Sequence, residues 1–273
     1  MLVKIKQNLC NRSFYLLIIL FGMFAALPTF ASKNSCANFN KIFKLTKMNA
    51  ENGVIPSKFI LGKMYHDGQC IPRDFHAARK WLLEAARSGH ADSMYYLALV
   101  FYNAGGPYND YDQAFFWFQK ARRLGNASSI YYIAEIYLHG RGVKKNKNEA
   151  KRLLMMASSN NDPRAQFKIG SMYHKGSLNG RRNLPKAFDW YTRAALLGHG
   201  AAHYRLGQFY SKGMGVRRDK VKAFTWYSIA DLHGYINGKS KKNEMYKRLS
   251  AKNIAEAQGL IQRYMKSMSY PEF

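Results

Sequence analysis

"YSKGMGVRRDKVKAFTWYSIADLHG", Tyr210 to Gly234, carries no acid–base pair and no metal-ligand cluster, only glycines, cations and aromatics at fixed intervals. The same intervals recur upstream at a spacing of 36 residues, once 37, and five units keep phase, beginning at Ser57, Ser93, Ser129, Ala165 and Ala202. A period of that length marks a stacked repeat architecture.

Within a unit the periodicity is helical. With Leu61, Leu97, Ile133, Ile169 and Leu206 as the zero position, the residues four before and one after are small, and the residue four after is aromatic. Ser57, Gly62 and Tyr65 show this in the first unit, and Ala165, Gly170 and Tyr173 in the fourth. At 100° per residue they fall on one arc, predicting an amphipathic first helix whose small residues admit a close neighbour. A second helix carries an Ala-x-x-Trp-x-x-x-Ala pattern at Trp81, Trp117, Trp190 and Trp226, with Leu153 in the third unit. Tryptophans that repeat with the fold, without converging on one spot, read as packing between helices. Glycines punctuate: Gly89, Gly125, Gly198 and Gly234 close second helices, and Gly68, Gly140 and Gly213 stand between the two helices of a unit.

Helix pairs too short to bury their apolar faces alone must stack on one another, so the predicted class is all-α, an α-solenoid of about five helix-turn-helix units. The expected organisation is a secretory signal over 1–31, an N-terminal capping helix over 32–55, the solenoid over 56–236, and a linker with C-terminal capping helices over 237–273. "NGKSKK", Asn237 to Lys242, is the expected linker, and Ser250 the expected N-cap of the closing helix.

The stretch Leu206 to Ala230, "LGQFYSKGMGVRRDKVKAFTWYSIA", resembles the Sel-one-like repeat family, a relative of the tetratricopeptide repeats. The closing "LSAKNIAEAQGLIQRY" is similar to the terminal cap common there. Ala98 and Ala134 depart from the pattern by replacing the glycine after the zero position, and the second unit has "AGGPYND" where the others turn on glycine. The resemblance implies a scaffold without catalysis, a role that members fill in envelope regulation, signalling and host-cell entry.

The chain of 273 residues is 47% apolar, enough for a substantial core, and its 43 Lys and Arg against 16 Asp and Glu give a net charge of +27. Anionic partners are therefore favoured. Lys4, Lys6 and Arg12 precede an apolar run from Phe14 to Leu27, followed by Thr29 and Ala31 at small-residue positions. That run is shorter than the roughly 20 residues a spanning helix needs, so a cleaved signal ending near Ala31 is expected, and with it a periplasmic or secreted location. Cys36 and Cys70 would then remain, and an oxidising compartment predicts one disulfide between them, the alternative being two buried thiols. Nucleic acid suits the charge but not that location.

No catalytic constellation stands out, and no cofactor, metal or small-molecule substrate is expected. His66, His174, His90 and His199 fall at repeat-equivalent places, and Asp74, Asp110 and Asp219 at helix starts. His199 and His203 are spaced for a shared metal but straddle a predicted turn with no carboxylate near. "NAS" at Asn126 matches a glycosylation acceptor.

Two surfaces are candidates for a partner. On each first helix the residues one before and two after the zero position point away from the packed arc. These are Ile60, Tyr96, Tyr132, Lys168 and Arg205, and Lys63, Leu99, Glu135, Ser171 and Gln208, an expected groove for an extended protein segment with an aromatic middle and a basic end. The turns between helices bring Lys144, Lys145, Lys147, Arg181, Arg182, Arg217, Arg218 and Lys220 to one edge as a basic ridge. A protein partner in the groove is the leading reading. The alternative is an envelope-associated protein that binds anionic polymer or lipid through the ridge.

Overall fold

A computed structural model describes residues 33–103, 109–178 and 180–269, with side chains from Phe39 to Ser267 outside the two internal gaps. The expected signal segment, the Cys36 side chain and most of "AGGPYND" lie outside the described residues. Among those described there are thirteen helices and no strand. A leading helix α1 (Lys33–Glu51) precedes five pairs: α2 (Ile55–Asp67) and α3 (Phe75–Arg87); α4 (Ala91–Asn103) and α5 (Tyr111–Arg123); α6 (Ser128–His139) and α7 (Lys147–Ser159); α8 (Pro163–Lys175) and α9 (Leu184–Leu196); α10 (Gly200–Lys212) and α11 (Lys220–Leu232). Helices α12 (Ile236–Tyr246) and α13 (Ala251–Ser269) follow. No described helix is long and apolar enough to cross a membrane.

One local device starts every second helix. Asp74, Asp110, Asn146, Asn183 and Asp219 are N-caps whose side chains accept a hydrogen bond from the backbone N–H three residues on. Such caps satisfy helix-end donors that have no intrahelical partner. Each cap's own N–H donates to the carbonyl of the aromatic four residues past the zero position, Tyr65, Phe101, Tyr137, Tyr173 or Tyr210, at 2.9–3.0 Å. The end of one helix is thereby tied to the start of the next at the same point in every unit. Between units the cap is His90, Asn126, Asp162 or His199. Asn161 takes the left-handed position that glycine fills in the other units, at φ 56°.

The small residues set how near the paired helices lie. A Cβ on Gly62, Gly170 or Gly207 would stand 2.6–2.9 Å from Leu82 Cγ, Tyr191 Cδ1 or Tyr227 Cδ1, inside any real contact distance. The five zero-position residues are sealed below them, and a continuous apolar core runs from α3 to α8 and again through α9, α10, α11 and α13. Trp117 and Trp226 are buried and Trp81 and Trp190 half-buried.

The C-terminal end differs from expectation. "NGKSKK" is not a linker but part of α12, which packs on α11 as a further first helix. Gly238 stands 36 residues after Ala202, in the small-residue position, and a Cβ there would lie 2.7 Å from the Asp231 backbone nitrogen. Lys242 adds an ion pair to Asp231. Helix α13, capped by Ser250 as expected, packs on α11 and reaches α9, setting Tyr264 4.6 Å from Trp226.

Candidate functional site

Each second helix packs on the first helix of the next unit, and long side chains on the first helices bridge the space between successive units, so a large side chain before the zero position meets a neighbouring unit. Tyr132 stacks on Phe118 with ring centres 5.0 Å apart and planes 3° apart, and the Arg164 guanidinium lies over its ring at 5.0 Å. Tyr96 meets Phe59, His66 and Tyr95 edge to face at 5.4–5.6 Å, and Lys63 sits over its ring while pairing with Asp67. Burial pushes the Tyr96 phenol above its ordinary pKa. Both tyrosines are half-buried parts of the repeat-to-repeat packing, not the free aromatic wall the sequence predicts. Leu99 is also corrected: it is 6% exposed and belongs to the core. Ile60 is half-buried.

Toward the C-terminal units the same positions are polar and connected. Lys168 of α8 reaches back to Glu135 of α6, Nζ to Oε1 2.7 Å, and His139 approaches the other oxygen at 3.5 Å. Burial holds the His139 imidazole below its usual pKa despite the carboxylate. Arg205 donates to Gln208 at 2.9 Å, and Gln208 donates to the Tyr204 hydroxyl at 3.3 Å, so the guanidinium is braced from behind.

Lys168, Ser171 and Arg205 line a cavity of about 590 Å³ between the α6–α7 pair and helices α8 and α10. Lys147, a residue of the expected ridge, lines it too, so the two surfaces meet here. Lys151 and Lys175 complete its cationic wall and escaped the sequence reading. Their signal was present: Lys151 stands four residues after Lys147, and Lys175 seven after Lys168, each pair on one helix face.

The other ridge residues, Lys144, Lys145, Arg181, Arg182, Arg217, Arg218 and Lys220, are exposed at or beside the turns joining α6 to α7, α8 to α9 and α10 to α11. Arg182 is tied down, its Nε donating to the His174 carbonyl at 3.0 Å. A second cavity, about 360 Å³, opens at the opposite edge beside Arg164, which is held by Asp162 at 2.6 Å, the Tyr95 hydroxyl at 3.3 Å and the Ser128 carbonyl at 3.4 Å. That guanidinium ties three units together.

The remaining singled-out residues have local roles. His199 accepts from the Ala202 N–H as a cap, and His203, fully buried, donates from Nε2 to the Ala195 carbonyl at 2.8 Å. Burial, with His233 nearby, lowers the His203 pKa to about 3. Among the described residues no three ligating side chains come together. The Asn126 amide is engaged on both sides, accepting from Ser129 and donating to Asp92 at 2.9 Å. Cys70 is disulfide-bonded; the Cys36 side of the expected bridge is outside the described side chains.

Comparison with known proteins agrees with this architecture. A Sel1 repeat protein from Oxalobacter formigenes is similar over 80% of this chain and 88% of its own, at 27% identity and a TM-score of 0.62. A Klebsiella pneumoniae protein of the Sel1 repeat type shares the fold over 75% of this chain and 99% of its own, at 23% identity and 0.52. The immunity protein Pa5087 from Pseudomonas aeruginosa shares it over 79% and 80%, at 19% and 0.56. Sel1 repeats match at residues 55–90, 91–126, 127–162, 163–199 and 200–230, and the chain belongs to the Sel1 repeat family.

Proposed function

We propose that this protein is an exported, non-catalytic adaptor that holds a segment of a partner protein along the exposed sides of α6, α8 and α10. Sel1 repeat proteins generally mediate protein–protein interaction and are generally non-catalytic. The observation that carries the reading is the 590 Å³ cavity, which opens at Lys168, Ser171 and Arg205, polar positions outside the buried apolar core. Its size is in the range of a ligand site, roughly 300–1,000 Å³, and too small for a folded domain, so an extended segment is the fitting occupant. Export is inferred from the positive start and apolar run before Thr29 and from the disulfide at Cys70.

A photo-crosslinking residue placed at Ser171 or Gln208 in the full chain tests this in the native compartment. A discrete protein adduct is expected from those positions and not from Lys120 on α5, away from the cavity. Equal adducts from all three positions, or none from the first two, would overturn the reading.

A further inference from the structure

The chemistry of the cavity says more about the partner than its position does. Five cations from three successive units line it: Lys147 and Lys151 on α7, Lys168 and Lys175 on α8, and Arg205 on α10. No carboxylate lines it among the described residues. Two acids beside its cations are already engaged: Glu135, with a side chain only 12% exposed, by Lys168 and His139, and Glu149 by Arg152. Among the described residues Lys147, Lys175 and Arg205 have no acidic partner. Like charges gathered in a concave site with low-dielectric walls repel one another and focus a positive field outward, and an entering anion relieves that repulsion.

Two further features narrow the anion. Leu138, Phe167, Met172 and Leu178 give the cavity an apolar part beside its cations. A free phosphate or a lipid headgroup has nothing to place there, whereas a peptide carrying acidic and apolar side chains satisfies both. Arg205, braced by Gln208, presents a planar fork suited to a carboxylate, and Asn148, Ser171 and Ser177 supply neutral hydrogen-bonding groups around it.

We infer that the cavity between α7, α8 and α10 is a receptor for an acidic peptide segment, with adjacent carboxylates meeting Lys147, Lys175 and Arg205 and an apolar side chain entering beside Phe167. This rests on the adaptor reading and names the chemical class of its partner segment. The charge of the whole chain, +27, draws such a partner in, while the cavity decides where it binds.

The test is binding of fluorescently labelled peptides to the purified full chain at about 0.15 M salt, where long-range attraction is largely screened. One peptide alternates glutamate and aspartate with leucine and phenylalanine; its counterpart carries the corresponding amides. The acidic peptide is expected to bind about tenfold or more tightly than the amide peptide. The double variant Lys147→Glu, Lys175→Glu, both exposed residues, should lose that preference with an unchanged thermal melt. Arg217→Glu with Arg218→Glu, on the ridge outside the cavity, should keep it.

Equal loss in both double variants would mean attraction by net charge alone and would overturn the assignment. So would binding of inorganic phosphate, or of vesicles of phosphatidylglycerol and phosphatidylcholine, with no binding of the acidic peptide. If crosslinking from Ser171 still yields a protein adduct while the acidic peptide does not bind, the adaptor reading stands and the acidic specificity falls. If the peptide binds and no adduct forms, the cavity assignment stands alone.

Discussion

Gly207 of α10 lies against the Tyr227 ring of α11 so closely that a Cβ would stand 2.6 Å from Cδ1. Nothing there can absorb a methyl group, because Tyr227 is itself buried. Gly207→Ala is expected to destabilise the protein by about 1–3 kcal/mol, although alanine is the better helix former. Gly259 in α13 has nothing within 4 Å of its Cβ site, and Gly259→Ala should stabilise by about 0.5–1 kcal/mol. Chemical denaturation of the two variants measures the contrast; two changes of the same sign would contradict the close-approach argument.

Asn126 accepts from both the N–H and the hydroxyl of Ser129 and donates to Asp92. Asn126→Ala removes the cap of α6 and should cost about 1–2 kcal/mol. Asn126→Ser keeps a capping acceptor without setting a second carboxylate against Asp92 and should cost less. Equal midpoints for the wild type and Asn126→Ala in urea would show the cap to be idle.

His203 is neutral in the fold, its pKa lowered to about 3 chiefly by burial and then by His233. An unfolded histidine titrates near 6.5, so between these values the unfolded chain binds the extra proton. Stability from this group is therefore complete above about pH 6.5 and declines as pH falls toward 3, at up to about 1.4 kcal/mol per unit. His199 and His233, also lowered by burial, add to the slope. His203→Gln, which can still donate to the Ala195 carbonyl, should flatten it, and urea titrations at pH 7, 6 and 5 read the difference.

Trp226 is 3% exposed and lies 4.6 Å from Tyr264. Removing residues 251–269 uncovers the side of α11 that α13 packs on, so indole fluorescence should shift to the red and thermal unfolding should move to lower temperature. An unshifted spectrum would mean that α13 does not shield this face in solution.

Tyr132 is a structural residue before it is a binding residue. Its stacking on Phe118 and contact with Arg164 predict that Tyr132→Ala costs about 2 kcal/mol, lowering the thermal midpoint. Lys175→Ala, at an exposed position, should leave that midpoint unchanged. Loss of partner binding in Tyr132→Ala alone would therefore not locate the site, whereas loss in Lys175→Ala would.

What the sequence determined by itself was the repeating part of the molecule. Helix starts at Asp74, Asp110 and Asp219, the sealed zero positions and the small residues at Gly62, Gly170 and Gly207 all depend on contacts within one unit, and five copies in phase make each of them visible. Asn146 and Asn183 were equally legible as caps, standing at the same place in the period. Helix α12 was hidden because its lysine-rich surface reads as a linker, and only Gly238, in phase with Ala202, announces its packing. Tertiary structure alone decided which side chains remain available to a partner. Leu99 was lost to the core and Tyr96 and Tyr132 became half-buried in packing between units, while Lys147, Lys151, Lys168, Lys175 and Arg205, spread over 59 positions of chain, gained a common wall. The angle at which one helix pair stacks on the next sets those distances, and that angle arises from side chains meeting across units rather than from any single unit's pattern.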